Sequence, residues 1–256
     1  MGNSQLTRSV LARAMESGVD DAGVVAVADL PEHGEQIQGI LPGARSLVVV
    51  LAAHNTAALA STNNQVAQFD TMYTYDEIAR SAHGVARFLS ASGHGSVAVP
   101  AFIPLDMSAP AKGMQGEICW RRAGVRAGLG SRGENGLLVT REFGSAVRIS
   151  GILTRAELAP TPPLTQDLCS HCMACVKACP ARALSGAGKV NKKQCGDRIF
   201  KYGFRYFREF AHTLALGETE DREALLADTG LLELWQTFMT GNYYYCFACQ
   251  VQCPSR

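Results

Sequence analysis

Eight of the nine cysteines in this 256-residue chain lie beyond residue 168. Cys169, Cys172, Cys175 and Cys179, followed by Pro180, spell C-x2-C-x2-C-x3-C-P. Cys246, Cys249 and Cys253, followed by Pro254, repeat the second half of that pattern, and Cys195 stands alone between the two. Thiolates at this spacing hold iron in cubane clusters. Three on a tight loop take three irons of one [4Fe–4S] cluster, and the fourth, about a helical turn further on, reaches the other cluster. Eight cysteines make two sets of four. The crossed pattern assigns Cys169, Cys172, Cys175 and Cys253 to one cluster and Cys179, Cys195, Cys246 and Cys249 to the other, with Cys195 replacing the missing first cysteine of the second loop. Structural zinc also uses C-x2-C pairs, but it leaves the triple C-x2-C-x2-C and both Cys-Pro steps unexplained. Cys119, on an apolar helix, reads as a buried small hydrophobe, and His171 as an exposed residue of the first loop.

Two adjacent clusters form a wire, and a wire needs something at its end. The residues before Cys169 are far more than a free-standing electron carrier requires, so they are expected to hold the site that electrons reach. "SQLTRSVLARAMESG" has helical periodicity and stops at Gly18; "AGVVAVADL", "SLVVVLAAH" and "SVAVPAF" read as strands. "TYDEIARSAHGVARFLSASG" is an amphipathic helix and "GEICWRRAGVRAG" a short one. "GLLVTREFG" and "AVRISGILT" are two strands about a turn at Gly144-Ser145. The three prolines of "LAPTPPLT" (158–165) mark a linker, and 220–239 reads as helical.

Within "AGLGSRGENG" (127–136), Gly128, Gly130 and Gly133 spell G-x-G-x-x-G. A dinucleotide-binding loop needs a strand before it and a helix after it, so that the helix N-terminus faces the pyrophosphate. Here the order is reversed. A glycine-rich helix end and turn accounts for the letters, and glycines also let backbone approach a large flat cofactor.

Composition is that of a packed globular chain: 47% apolar and 18% charged, with net charge +1. The balance offers no global field for gripping nucleic acid. No apolar run is long enough to span a membrane. The N-terminus has neither an apolar leader core nor a twin-arginine pair, and so many cysteines outside an oxidising compartment argue against disulfides. The expectation is a cytoplasmic protein with no membrane partner. "KKQCGDRIFKYGFRYFRE" interleaves Lys192, Lys193, Arg198, Lys201, Arg205 and Arg208 with aromatics. It reads either as a docking surface for tRNA or an acidic electron donor, or as a helix whose aromatics pack on the clusters while its charges are solvated.

The block "RAGLGSRGENGLLVTREFGSAVRISGILT", followed by C-x2-C-x2-C-x3-CP, Cys195 and C-x2-C-x3-CP, resembles the cobalamin-dependent iron–sulfur reductases, a group that contains epoxyqueuosine reductases and reductive dehalogenases. The resemblance implies an α+β chain: a three-layer α/β/α cobalamin-type domain (1–160), then a ferredoxin-like double [4Fe–4S] domain (161–256) with a helical insertion at about 196–245. It implies a corrinoid held without a protein ligand below the cobalt, and this chain has no D-x-H-x-x-G motif to supply one. Gly128, Gly130, Ser131, Gly133 and Gly136 would line the corrin, and the cluster on Cys169, Cys172, Cys175 and Cys253 would lie nearer the cobalt. A proton donor is sought in Asp106, whose "DMSAP" is similar to the acidic segment of epoxyqueuosine reductases but one residue longer. Glu117 is a second acidic candidate. Tyr75 and Tyr73 come into question because dehalogenases of the group use a tyrosine with a basic neighbour. The implied activity is reduction of a small molecule by electrons from a low-potential donor, ferredoxin or flavodoxin. Epoxyqueuosine reduction on tRNA is the alternative, weakened by the near-neutral charge and the missing helical-repeat tail. An electron-transfer or corrinoid-processing protein without its own substrate is a further one.

Overall fold

The computed structural model describes residues 3–101, 116–241 and 244–253. Its first half is built on one antiparallel sheet. Helix α1 (Asn3–Glu16) leads into β1 (Asp21–Ala26), α2 (Gly34–Ile40), β2 (Ser46–Ala53), a short α3 (Thr56–Leu59), the long α4 (Asn64–Ala91) and β3 (Ser96–Val99). After α5 (Trp120–Arg126) come the two-residue strands β4 (Ser131–Arg132) and β5 (Leu138–Val139), which pair with each other, and then β6 (Val147–Thr154). The sheet order is β1-β2-β6-β3, with every neighbour antiparallel.

Side chains alternate across a strand, so a strand with both faces covered reads as a continuous apolar run. "SLVVVLA" does this. Leu47, Val49 and Leu51 pack with Ile37 and Leu41 around α2 and with Ala123 of α5; Val48, Val50 and Ala52 pack on the opposite face with Val10 of α1 and Ile78, Val85 and Leu89 of α4. Helices thus cover both faces of the sheet. Among the described residues no helix is long and apolar enough to cross a membrane.

Three elements depart from the sequence pattern, each for a visible reason. Helix α4 begins ten residues before the expected "TYDEIARS" segment. Its first half is turned inside out: Gln68 is 0% exposed and Thr71 and Thr74 are buried, while Val66, Phe69 and Tyr73 face solvent. The inward donors find backbone partners. Gln68 Nε2 donates to the Tyr244 carbonyl at 3.2 Å, and the two threonine hydroxyls donate to the carbonyls of Ala67 and Asp70. The Asn63 side chain caps the start by accepting from Gln65 N–H. The expected linker is packed rather than loose. Leu158 is only 2% exposed, and Thr161 exchanges bonds with Val24 of β1 through both its N–H and its hydroxyl. The single helix expected over 220–239 is two, α9 (Thr219–Ala227) and α10 (Gly230–Thr240), because Asp228 accepts the Gly230 N–H and breaks the run.

The second half carries α6 (Ala174–Lys177), the hairpin of β7 (Leu184–Gly186) and β8 (Lys189–Val190), α7 (Lys192–Ile199), α8 (Phe204–Leu216) and, after α9 and α10, α11 (Ala248–Val251). Helices α6 and α11 are the single turns that follow each cysteine loop. The aromatics of the basic segment divide. Phe200 and Tyr202 pack on Tyr244 and Tyr245, just ahead of Cys246, whereas Phe204 is 67% exposed and Phe207 is exposed beside it.

Candidate functional site

Each cysteine loop places its middle cysteine on a helical turn: Cys175 on α6 and Cys249 on α11. Burial pushes the Cys175 thiol above its ordinary pKa, and the nearby Cys253, Cys169 and Cys172 push it further. The same four cysteines line one small hollow, together with Gly133 and Asn135. Cys195 is raised by burial and then by Cys246 and Cys179. Cys249 is pushed up to about 12 by burial, then by Cys246, Cys195, Cys175 and Cys179. Cys169, Cys172, Cys175 and Cys253 thus gather about the hollow, and Cys179, Cys195, Cys246 and Cys249 lie within reach of one another's charge, with Cys175 near them. Sulfurs gathered this closely are the natural ligands of metal cations set among them. The donor set thus fits iron, for which thiolate is a soft, matched ligand. Among the described residues no three His, Cys, Asp or Glu groups converge on a single ion; a cubane spreads its four thiolates over four irons.

The glycine loop does its work here. Ser131 Oγ donates to Asp167 at 2.7 Å and accepts the Leu168 N–H at 2.8 Å, just before Cys169. Arg132 donates to the Gly188 carbonyl at 2.7 Å in the turn between β7 and β8. Glu134 accepts from His171 at 2.6 Å and from Ala187 N–H. Buried Asn135 donates to Ser145 Oγ at 3.0 Å and to the Cys249 carbonyl at 3.5 Å. His171 is exposed, as its sequence position implies, yet Glu134 and Asp167 hold it on both ring nitrogens and raise its pKa. Gly130 is close against the Val139 carbonyl, Gly128 against that of Pro162, and Gly136, at φ +74°, against Gly188. The space these glycines leave is filled by the chain's own backbone. Of Gly128, Gly130, Ser131, Gly133 and Gly136, none borders the larger cavity described next, and Gly133 borders the cysteine hollow.

That cavity, of about 690 Å³, lies at the end of β3 and β6 and is closed by α5, α7 and Tyr244. Its size falls within the range of ligand pockets. Glu117 and Tyr75 line it; Tyr73 points to solvent on α4, and Asp106 lies outside the described residues. Cys119 is half-buried on the cavity wall rather than in the core, because it precedes α5 and donates its backbone N–H to His33 Nε2 at 3.2 Å. Arg121, whose charge bears on Cys195, and Lys192 and Phe200 of the Cys195-bearing α7 and its end also line it. The cavity is thus coupled to the group containing Cys195. The group of Cys169, which the resemblance puts nearer the reaction centre, lines the separate hollow.

A residue that spacing did not single out stands on the same wall, with a second behind it. Arg148 of β6 lies with its guanidinium carbon 5.1 Å from the Tyr75 ring centre and 5.2 Å from that of Tyr244. Behind it, buried His54 donates from Nδ1 to Asp70 at 2.6 Å. Burial holds the His54 pKa below its ordinary value against the opposing pull of Asp70, and the Arg148 charge adds to the lowering. A histidine held neutral in the fold but protonated in the unfolded chain stabilises the fold above the unfolded pKa and loses that contribution as pH falls from about 6.5 toward the folded value. The thermal midpoint is expected to drop between about pH 7 and pH 6, and His54→Gln to flatten part of that slope in a melting series.

Residues 162–185 match the 4Fe-4S binding domain. The cysteine-bearing half is accordingly that of an iron–sulfur protein, joined to a helix-covered sheet. An epoxyqueuosine reductase of Listeria monocytogenes is 35% identical over 54% of this chain and 30% of its own length. A tetrachloroethene reductive dehalogenase of Dehalobacter restrictus is 30% identical over 59% of this chain and 25% of its own. Among solved structures, a reductive dehalogenase studied for B12-dependent dehalogenation has a TM-score of 0.62 over 99% of this chain and 41% of that one, at 15% identity, and so shares the fold. The chain is thus similar, over more than half of its length, to epoxyqueuosine reductases and reductive dehalogenases. It spans less than a third of the length of either of these relatives.

Proposed function

We propose that the chain is an iron–sulfur oxidoreductase that carries two [4Fe–4S] clusters on its two cysteine sets and passes electrons to a cobalamin seated in the large cavity, for reduction of a small substrate. Residues 1–160 form the substrate and corrinoid unit in this reading, and 161–256 the cluster unit with its helical insertion. The observation that carries it is that Lys192 and Phe200, at the two ends of the helix that bears Cys195, border the cavity, as does Arg121, whose charge bears on Cys195. A cobalamin bound there supplies a low-potential metal centre that donates electrons to the substrate. The mixed wall, where Trp120, Leu138 and Val147 stand among polar residues, suits a flat, amide-rimmed group. His33, a histidine on that wall, already accepts the Cys119 N–H on Nε2, so that nitrogen would not be among the atoms that hold the group.

The chain's own residues then have three tasks. The glycine loop fixes the cluster unit to the sheet through Ser131, Arg132, Glu134 and Asn135. The apolar part of the wall, Trp120, Leu138 and Val147, limits water at the reacting centre. Tyr75, beside the cation of Arg148, offers a hydroxyl to the reacting centre, and Glu117 a carboxylate through which protons can be passed. Reconstitution without oxygen should give about eight irons per chain, and the reconstituted protein should retain cobalamin through gel filtration. Release of all corrinoid overturns the proposal. The Listeria relative favours one second reading, epoxyqueuosine reduction on tRNA; loss of queuosine from the tRNA of a deletion strain supports it, and unchanged tRNA removes it.

A further inference from the structure

From the wall of the cavity we infer that Arg148 is the anchor of an anion-binding subsite: the ligand placed there carries a carboxylate or phosphate group. The inference rests on the reading of this cavity as the binding site. Arg148 enters from β6, opposite Ala52, at a position where the strand is otherwise apolar or small. Its Nε is buried and has no hydrogen-bond partner, and among the described residues no carboxylate pairs with it. The rings of Tyr75 and Tyr244, 6.4 Å apart and near-parallel, receive the cation, and their hydroxyls lie 3.4 Å from each other. Ring faces attract a guanidinium but do not neutralise it. Arg148 is half-buried, and a charge partly withdrawn from water without a counter-charge is costly; an anion from outside completes such a site.

The rest of the wall has the same sign. Arg121, Arg122, Arg148 and Lys192 line the cavity against Glu32 and Glu117, a surplus of two positive charges among the described residues. Glu32 is already committed to Arg122 and Arg126, at 3.1 and 3.2 Å. His33, whose pKa burial lowers, adds no fixed charge. A planar guanidinium held on two rings presents its fork in a fixed orientation, which suits the two oxygens of a carboxylate or phosphate. The aromatic flanks, with Trp120 and Phe200, suit a flat apolar body attached to that anion.

The anion has two possible sources, the substrate or the phosphate of a corrinoid's nucleotide loop. Calorimetry on the cluster-reconstituted full chain separates them, with benzoate and its neutral isostere benzamide as one pair of probes, and cobalamin and phosphate-free cobinamide as the other. For a substrate site, benzoate binds and benzamide does not. Arg148→Gln then weakens benzoate about 10- to 100-fold, the worth of a charged hydrogen-bonded contact, and Arg148→Lys recovers part of the loss. For a corrinoid-phosphate site, cobalamin binds more tightly than cobinamide in the wild type, and Arg148→Gln removes the difference. Should Arg148→Gln fail to fold, the comparison of charged with neutral probes on the wild type and on Arg148→Lys carries the test. Equal binding of charged and neutral probes, or benzoate and corrinoid affinities unaltered in Arg148→Gln, overturns the subsite. If neither corrinoid binds the wild type, the proposed function fails, while the benzoate pair still reports on the subsite.

Discussion

Replacing Cys249 with serine is expected to halve the iron bound by the reconstituted protein, from about eight to about four atoms per chain. Cys249 sits on the α11 turn with Cys246, Cys195 and Cys179 as its neighbours, and Cys175 of the other set bears on it as well. A serine hydroxyl is a harder and far weaker ligand for cluster iron than a thiolate, so the change removes one cluster and leaves the set of Cys169, Cys172, Cys175 and Cys253 intact. Cys175→Ser should remove the other cluster by the same margin. Cys119→Ser, on the cavity wall and outside both sets, should keep all the iron. Iron assay with electron paramagnetic resonance of the reduced protein reads all three. Full iron in Cys249→Ser, or a loss in Cys119→Ser, contradicts the assignment.

The second large effect is structural. Gly151 lies in the middle of β6, paired with Val49 of β2 and Val99 of β3. A Cβ there would run into the Val48 carbonyl oxygen and stand 2.9 Å from the Trp120 ring and 3.3 Å from Leu47. Alanine usually gains a little over glycine in a strand, since glycine loses more backbone freedom on folding. Here the gain is outweighed by overpacking on rigid backbone, which costs about 1–3 kcal/mol. Gly151→Ala is therefore expected to lower the melting midpoint by about 2–12 °C in a chain of this size. The damage also reaches the site, because Trp120 lines the cavity. An unchanged midpoint in a thermal scan contradicts the packing described.

The parts of the molecule that could be read in advance are those whose signal is local. The cysteine spacing is carried within short loops, so the two groups were readable as a pattern before any fold. The strand "SLVVVLA" declares itself because every position is apolar. The first half of α4 does not: its inward face is Gln68, Thr71 and Thr74, and its outward face is Val66, Phe69 and Tyr73. The usual sign of amphipathicity is inverted there, since the inner face meets the Tyr244 carbonyl and not an apolar layer. The glycine loop was legible as a special backbone but not in its task. The partners of Ser131, Arg132, Glu134 and Asn135 lie 36, 56, 37 and 114 residues further on. The cavity wall was the least legible. Tyr75, Arg148 and Tyr244 come from α4, β6 and the segment before Cys246, and only the tertiary fold gathers them. The one available signal was a lone arginine in an otherwise apolar strand.

The proposed function stands on electrons passing from the clusters to a corrinoid in the cavity. The direct measurement is the visible spectrum of bound cobalamin as reductant is added without oxygen, in wild type and in Cys195→Ser. Cys195 belongs to the group that adjoins the cavity through Arg121. The account predicts that wild-type protein reduces its bound cobalamin and that Cys195→Ser binds cobalamin but reduces it far more slowly. Reduction at the same rate in both, or no cobalamin bound by the wild type, contradicts it.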